Sequence, residues 1–174
     1  MKTVFLGLLF LGIANLSFSQ SSNEIEEVQL ADVVISPLNL SYLNAVHDVN
    51  TPEVVKQLEK KVAKFDVTES PVFDKQFEAY EVIFKDASSN SGSIIATYNS
   101  EGKILKSFEK FNDVTLPPAV RKAIYKEYPG WTIHSDTYLV SYYFNEDIKK
   151  VYKLKIKKDN EKKTLKVGID GKLI

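Results

Sequence analysis

Residues able to perform acid–base or nucleophilic chemistry are few and scattered in this chain. It has two histidines, His47 and His134, which lie in different halves, and it has no cysteine. His134-Ser135-Asp136 contains the residue types of a catalytic triad. Adjacent residues on an extended chain point to opposite faces, however, so these three cannot converge on one substrate. Two distant histidines without a cysteine also make a zinc site unlikely to form. We therefore predict no catalytic residues and no bound metal.

Signatures of phosphate and cofactor binding are missing as well. The 174 residues include only seven glycines, and neither G-x-G-x-x-G nor G-x-x-x-x-G-K-[ST] occurs. Neighbouring carboxylates occur at Glu26-Glu27 and Glu146-Asp147, within polar leader and turn sequence. Solvated surface is the better interpretation of both pairs, because a catalytic pair needs a cleft that shifts one pKa. The sequence thus predicts no cofactor and favours a non-enzymatic protein.

Aromatic residues on one extended segment are the first candidate binding feature. Trp131, Tyr138, Tyr142 and Tyr143 fall within a stretch that reads as a β-strand. Tyr138 and Tyr142 share a parity and therefore a face. An antiparallel sheet with helices on one side leaves the other side free, and Tyr and Trp are enriched in interface hot spots. We predict partner contacts at Trp131, Tyr138 and Tyr142; core packing beneath the helices is the alternative for each ring.

A ladder of lysines near the C-terminus is the second candidate. Lys153, Lys155 and Lys157 alternate with apolar residues, as on a strand with one solvated face. The whole chain is neutral, yet residues 149–172 contain ten lysines and only three acidic residues. Such a stripe could hold an anionic envelope polymer, lipid headgroups or an acidic protein. The alternative is a sheet face that lysine keeps soluble and protects from edge pairing.

The N-terminus has the pattern of a secretory signal peptide. Lys2 precedes an apolar run, Val4 to Leu16, and Ser17-Phe18-Ser19 supplies small residues for cleavage after Ser19. The run is shorter than the ~20 apolar residues of a membrane span. We expect export to the periplasm or the exterior, with no transmembrane segment after cleavage. The lack of cysteine argues against a lipoprotein and against disulfides. Residues 20–27 are polar and read as a flexible leader.

Two amphipathic helices are predicted. The first begins at Thr51-Pro52-Glu53, where Thr51 can cap and Pro52 suits the first helical position, and it ends near Phe65. Its apolar residues recur at helical spacing, with Glu59 on the polar side together with three lysines. The second begins at Leu116-Pro117-Pro118, and Pro129-Gly130 ends it.

Alternating or β-branched segments predict strands around these helices. The strand between Trp131 and Phe144 should be bent near Ser135. The predicted strands cover residues 28–36, 77–85, 93–98, 103–111, 131–144, 149–157, 164–169 and 172–174.

The two halves share short motifs. Tyr80-x-Val82-x-Phe84-Lys85 corresponds to Tyr152-x-Leu154-x-Ile156-Lys157, and Pro52-x-x-Val55-Lys56 to Pro117-x-x-Val120-Arg121. Hairpin-connected strands imply antiparallel pairing. We therefore predict an α+β fold with two helix-plus-antiparallel-sheet repeats, residues 28–111 and 112–174.

The second half resembles a known family. The residues that carry the likeness are Leu116-Pro-Pro-Ala-Val120-Arg-Lys-Ala-Ile124, Tyr128-Pro-Gly-Trp131, Tyr152-Lys-Leu-Lys-Ile156 and Asp170-Gly-Lys-Leu173. Over residues 110–174 they resemble the PepSY-like family, itself described as resembling the beta-lactamase inhibitor protein; residues 28–111 look like a degenerate copy. The resemblance implies an exported tandem module that binds or inhibits proteins, with no catalytic residues to transfer.

Together these features predict an exported, non-enzymatic binding or inhibitor-like module that recognises a protein partner through a sheet face. The partner would be another exported or envelope protein, and bulk charge gives no support for nucleic acid. One alternative is an envelope protein that binds an anionic polymer or surface through Lys153, Lys155 and Lys157. The other is an enzyme of unrecognised type, for which no convergent site was found. The oligomeric state stays open.

Overall fold

Six antiparallel strands and three helices make up the part of the chain that the structure describes. The structure is a computed structural model and describes residues 38–86 and 91–174, which all belong to one compact unit. The strands pair in chain order to form one sheet, β1-β2-β3-β4-β5-β6. The helices are α1 (Leu40–Val46), α2 (Glu53–Lys64) and α3 (Pro118–Glu127); the strands are β1 (Ala79–Lys85), β2 (Gly92–Asn99), β3 (Ile104–Asn112), β4 (Thr132–Tyr143), β5 (Lys149–Lys158) and β6 (Glu161–Gly168).

Helix α2 forms where its apolar spacing predicted. Val55, Leu58 and Val62 recur at helical spacing and are buried in the core. Its capping differs from the prediction, because the structure places Pro52 at the N-cap and shows no side-chain cap. The hydroxyl of Thr51 instead accepts the N–H of Asp48 at 3.0 Å and so closes the turn that precedes the helix.

Helix α3 also agrees with its prediction. It begins at Pro118, where the missing N–H of proline costs nothing, and it buries Val120 and Ile124. The chain leaves the helix through Gly130, whose φ of +80° lies in the left-handed region that favours glycine. The stop at Pro129-Gly130 is therefore confirmed.

Helix α1 was not predicted, since it is short and only two of its residues are fully buried. These are Tyr42 and Val46. A single side chain at the N-terminal end of α1 fixes it to the sheet: Asn39 donates to the carbonyl of Gly102 at 3.0 Å and accepts the N–H of Ile104 at 2.8 Å. These bonds span more than 60 residues of sequence, so no local pattern indicated them.

Of the eight predicted strands, the six between residues 77 and 169 are present in the structure, with shifts at their ends. β4 has an irregularity in its pairing between Ile133 and Ser135, which confirms the predicted bend. β6 begins at Glu161, three residues earlier than predicted. The predicted last strand, residues 172–174, is reduced to a single bridge between Leu173 and Val167.

One face of the sheet packs against the helices, and the core forms between them. Its buried residues come from all three helices and from alternate positions of the strands. The sheet continues from β3 to β4, although α3 separates these strands in the chain. The order helix, strand, strand, strand occurs twice, as α2-β1-β2-β3 and α3-β4-β5-β6. The matched proline motifs begin α2 and α3 and so lie at equivalent places. The matched strand motifs, however, lie on β1 and β5, which are not in equivalent places in that order.

Three predictions fall on residues outside the described part: the signal peptide (1–19), the leader (20–27) and the strand over 28–36. Among the described helices, none has the length and apolar character needed to cross a membrane.

Candidate functional site: the open face of the sheet

Strand alternation divides the sheet into a covered face and an open face. On β5, Tyr152, Leu154 and Ile156 are buried against the helices, whereas Lys153 and Lys155 between them are exposed. The same alternation runs through the paired strands. We call the side that carries Lys153 and Lys155 the open face. No helix among residues 38–86 and 91–174 contributes to it.

The open face carries a strong excess of positive charge. By strand register, nine of its residues are lysines and only Glu81 is acidic. The whole sequence, by contrast, has 23 basic and 23 acidic residues. The fold has therefore separated charges that the composition balances. The lysines are Lys85, Lys106, Lys110, Lys149, Lys153, Lys155, Lys157, Lys162 and Lys166.

An apolar band crosses the same face. Ile83, Ile95 and Phe108 are direct cross-strand neighbours on β1, β2 and β3. The ring of Phe108 meets the ring of Tyr143 edge to face, with centroids 5.7 Å apart. Ile83 is 57% exposed, Phe108 42% and Tyr143 37%. Leu139, half-buried on β4, continues the band toward β5. Apolar side chains at this exposure are available to a partner surface.

A hollow lies between β3, β4 and β5 on the open face. It encloses about 470 Å³. Inside it, the hydroxyl of Thr137 donates to Oδ1 of Asn112 at 3.2 Å. Its lining residues are Lys110, Asn112, Ser135, Thr137, Leu139, Lys153 and Lys155.

The structure corrects the prediction of partner contacts at Tyr138 and Tyr142. Both side chains lie on the covered face, 1% and 4% exposed. Tyr138 stacks on Tyr152 at 4.6 Å, and Tyr142 meets Tyr42 edge to face at 5.3 Å. The prediction that Tyr138 and Tyr142 share one face is confirmed. The prediction that this face is free is wrong, because the helices cover it. Both rings are core residues.

Trp131, the third predicted aromatic contact, is half-buried beside α3. Its ring lies 6.2 Å from that of Tyr128, and the ammonium of Lys163 sits 4.7 Å above it. It does not join the open face. The aromatic residues that do are Phe108 and Tyr143, and the only sequence signal for them is their position within alternating strands.

The structure places the three predicted lysines on the open face, and their role in binding stays a prediction. Lys153, Lys155 and Lys157 are all exposed on the open face. Lys150 has the opposite parity, and its ammonium is buried: it donates to the carbonyl of Val46 and to Oδ2 of Asp48, both at 2.6 Å. Burial alone would raise the pKa of Asp48, but the bond from Lys150 brings it below its usual value.

A second cluster of titratable groups lies inside the core. Glu59 on α2 is fully buried and Glu109 on β3 is 2% exposed. Oε1 of Glu109 accepts the hydroxyl hydrogens of Tyr42 at 2.8 Å and of Ser107 at 3.1 Å. Both oxygens of Glu59, and Oε2 of Glu109, have no hydrogen-bond partner among the described residues. The sequence had placed Glu59 on the solvated side of its helix, which is wrong.

Burial dominates the electrostatics of this pair. Burial and, second to it, the neighbouring charge of Glu109 together raise the pKa of Glu59 to about 9. Burial also raises the pKa of Glu109 to about 7, against the hydrogen bond from Tyr42. His47 lies with Nε2 2.8 Å from Glu59. Burial and the charge of Lys60 lower the pKa of His47, so it is neutral at pH 7 and this contact is not a charged pair. The two carboxyl groups are closed to solvent, whereas the side chain of His47 is 22% exposed.

The triad residue types at 134–136 diverge. Ser135 lines the hollow on the open face, whereas Asp136 is buried and its carboxylate accepts the N–H of Val114 at 3.2 Å. Burial raises the pKa of Asp136 to about 6. In the described part of the chain, no three His, Asp or Glu side chains are grouped as metal ligands.

Comparisons with known proteins identify no activity. No protein-family model matches the sequence, and no curated protein matches it. The chain is similar to a solved structure described as a DUF2874 family protein from Bacteroides ovatus ATCC 8483, with 18% sequence identity and a TM-score of 0.35. That similarity covers 74% of this chain and 86% of the other. The functional argument therefore depends on the surfaces of this chain itself.

Proposed function

We propose that this protein is an exported, non-enzymatic binding module that recognises a protein partner through the open face of its sheet. The observation that carries the proposal is the composition of that face, where an exposed apolar band lies among nine lysines. Interfaces combine apolar and aromatic residues with polar ones, and the open face carries both kinds side by side.

The apolar band supports a protein partner over a purely ionic one. Phe108 and Tyr143 contact each other edge to face and are therefore partly ordered in the free protein. A partner that binds them has less side-chain entropy to remove. Lysine alone would keep a solvated sheet face soluble. Exposed Ile83 on the edge strand β1 and Phe108 on β3 gain about 25 cal/mol per Å² of apolar area when a partner covers them.

The sequence adds two supports. The resemblance of residues 110–174 to the PepSY-like family implies an exported binding or inhibitor-like module. It also implies two repeats, which we propose to be residues 28–111 and 112–174. The signal peptide pattern over residues 1–19 supports export to the periplasm or exterior and a partner that is itself exported or envelope-bound.

A second candidate function is binding of an anionic envelope polymer or surface. The excess of lysine on the open face favours it, with Lys153, Lys155 and Lys157 in one row of β5. The two functions differ in their response to salt and to loss of the apolar band. Exposed charge contacts weaken as ionic strength rises, because the Debye length shortens from about 10 Å at 0.1 M to about 3 Å at 1 M.

The experiment is affinity capture with the mature protein, starting at Gln20, from native envelope extract at low and high salt. Captured proteins are identified by mass spectrometry, and the best one is produced recombinantly to measure its Kd. The test variant replaces Phe108 and Tyr143 by alanine. The control is Tyr125→Ala, which removes an aromatic ring that is 56% exposed on α3, away from the open face.

A discrete protein retained at high salt, bound at least tenfold more weakly by the Phe108/Tyr143 variant and normally by the control, supports protein recognition. Retention only at low salt, of polymer or of many acidic proteins and unaffected by loss of the two rings, supports the polymer candidate instead. Equal binding by both variants at high salt would show that the partner uses another surface.

A further inference from the structure

We infer that the hollow between β3, β4 and β5 is a carboxylate-binding site, which receives an acidic side chain of the protein partner. The inference rests on the proposed function, because it takes the open face as the surface that the partner contacts. It adds the chemistry of that partner: a protein surface with an aspartate or glutamate side chain beside apolar residues.

Three ammonium groups can converge on the hollow. Lys153 and Lys155 are two residues apart on β5, which separates their Cα atoms by about 7 Å. Lys110 is on β3, two strands away, or about 10 Å across the sheet. It is level with Val151, so it is also offset along the strands by about 7 Å from Lys153 and about 14 Å from Lys155. All three line the hollow. Flexible four-carbon stems let ammonium groups at these separations reach one ligand between them.

No acidic residue of the described chain neutralises these lysines. None of the ion pairs found within residues 38–86 and 91–174 includes Lys110, Lys153 or Lys155. The one carboxylate of the open face, Glu81, lies on β1 at the far edge of the sheet. Within the described residues, an incoming carboxylate therefore meets three positive charges that no ion pair neutralises.

Neutral groups complete the site. Oδ1 of Asn112 is occupied by the hydroxyl of Thr137 at 3.2 Å, and this bond turns the amide so that its N–H groups remain as donors. Ser135 adds a hydroxyl at the other end of the hollow. Charged and neutral donors around one pocket suit a carboxylate, which accepts several hydrogen bonds at once.

The floor of the hollow favours a carboxylate borne by a protein over one borne by a sugar polymer. Leu139 forms part of the floor and is paired with Val151 on β5. Both side chains are half-buried and face the same open side. A glutamate side chain presents methylene groups before its carboxylate, and its neighbours in a protein can cover Leu139 and Val151. A hydrated polymer would leave this apolar area exposed.

The test is an NMR titration of the ¹⁵N-labelled mature protein with a defined peptide probe, acetyl-Leu-Glu-Leu-Glu-Leu-amide, and with its glutamine counterpart. The test variant is Lys153→Ala/Lys155→Ala. The control variant is Lys75→Ala/Lys122→Ala, which removes two exposed lysines from a loop and from α3. Inorganic polyphosphate is titrated in parallel as a probe of polymer binding.

We expect saturable shifts at the amides of Asn112, Ser135 and Thr137 with the glutamate peptide and none with the glutamine peptide. Each exposed charge contact is weak, so loss of two lysines should weaken binding by roughly tenfold, and the control should bind normally. Shifts spread over all surface lysines, equal loss in the control, or tighter binding of polyphosphate at the same amides would overturn the inference.

Failure of this inference can be told apart from failure of the proposed function. One outcome is that the captured partner binds the Lys153/Lys155 variant normally and fails to bind the Phe108/Tyr143 variant. In that case the open face recognises a protein, but the hollow does not bind a carboxylate. If neither variant affects the partner, the open face itself is excluded.

Discussion

The buried carboxyl of Glu59 makes the stability of this protein sensitive to rising pH, and replacing it by glutamine should remove the share of that sensitivity that comes from Glu59. Glu59 is fully buried on α2 and has no hydrogen-bond partner among the described residues. An ionised carboxylate in this position has lost its hydration, and the attraction of Lys150 offsets only part of that cost. The protonated form avoids this cost, and glutamine has nearly the same shape without a proton to lose.

The magnitude follows from the displacement of the pKa. Burial raises the pKa of Glu59 from 4.5 to about 9. Between these two values the folded state holds a proton that the unfolded state has released. The free energy of unfolding therefore falls by about 1.4 kcal/mol for each pH unit in this window. The stability is fully present below pH 4.5 and is lost as pH rises toward 9. From pH 6 to pH 8 the loss amounts to about 3 kcal/mol, a large share of the 5–15 kcal/mol typical of a domain.

The assay is urea unfolding of the wild type and of Glu59→Gln at several pH values between 5 and 9. Glu146→Gln is the matched control, since it removes an exposed carboxylate from a turn. The wild type and the control should lose stability in parallel as pH rises, whereas Glu59→Gln should show a flatter profile and exceed the wild type at pH 8. If Glu59→Gln keeps the slope of the wild type, Glu59 is ionised in the folded protein and the argument from burial is wrong.

Three further substitutions test contacts that hold the sheet and the helices together. Gly92→Ala should lower the free energy of unfolding in urea by about 1–3 kcal/mol, because a Cβ at this position would lie 2.3 Å from the ring of Phe111. If the double variant Gly92→Ala/Phe111→Leu loses as much stability as the two single variants added together, this clash is not the cause. Asn39→Ala should lower the free energy of unfolding by about 2–4 kcal/mol, since it leaves two buried backbone groups without a hydrogen-bond partner. A loss below 1 kcal/mol would show that water replaces the side chain. Lys150→Met should raise the pKa of Asp48, measured by ¹³C NMR; an unchanged titration would mean that Lys150 does not hold this carboxylate.

Local patterns were sufficient for most of the secondary structure. The apolar spacing of α2 and the proline start and glycine stop of α3 are set by residues within a few positions of one another. The alternation of β5 has the same local origin, and the exposure of Lys153 and Lys155 followed from it. Helix α1 escaped prediction because the bonds that fix it, from Asn39 to the β2–β3 turn, join distant parts of the chain.

Strand parity tells which side chains share a face but not which face the helices cover. This is why Tyr138 and Tyr142 were grouped correctly and placed wrongly. Which face is buried depends on the side of the sheet against which α1 and α2 pack. The alternating sequence of β4 carries no information about that side. Glu59 shows the same limit on a helix: it is polar and so reads as solvated, but the docking of α2 carries it over Glu109 on β3.

The register of the sheet links the proposed binding surface to folding. On β5 the rings and aliphatic chains that fill the core alternate one by one with the lysines of the open face, so a slip of one residue would exchange the two sets. A shift of β5 by one residue would bury the lysines of the open face in the core. Each buried, unpaired lysine would cost as much free energy as an unpaired Glu59 anion. The open face is therefore fixed by the burial of Tyr152, Leu154 and Ile156 on the other side of the strand. It follows that Lys153 and Lys155 can be replaced singly or together without loss of the fold, whereas replacing Leu154 by lysine should abolish both the fold and the surface.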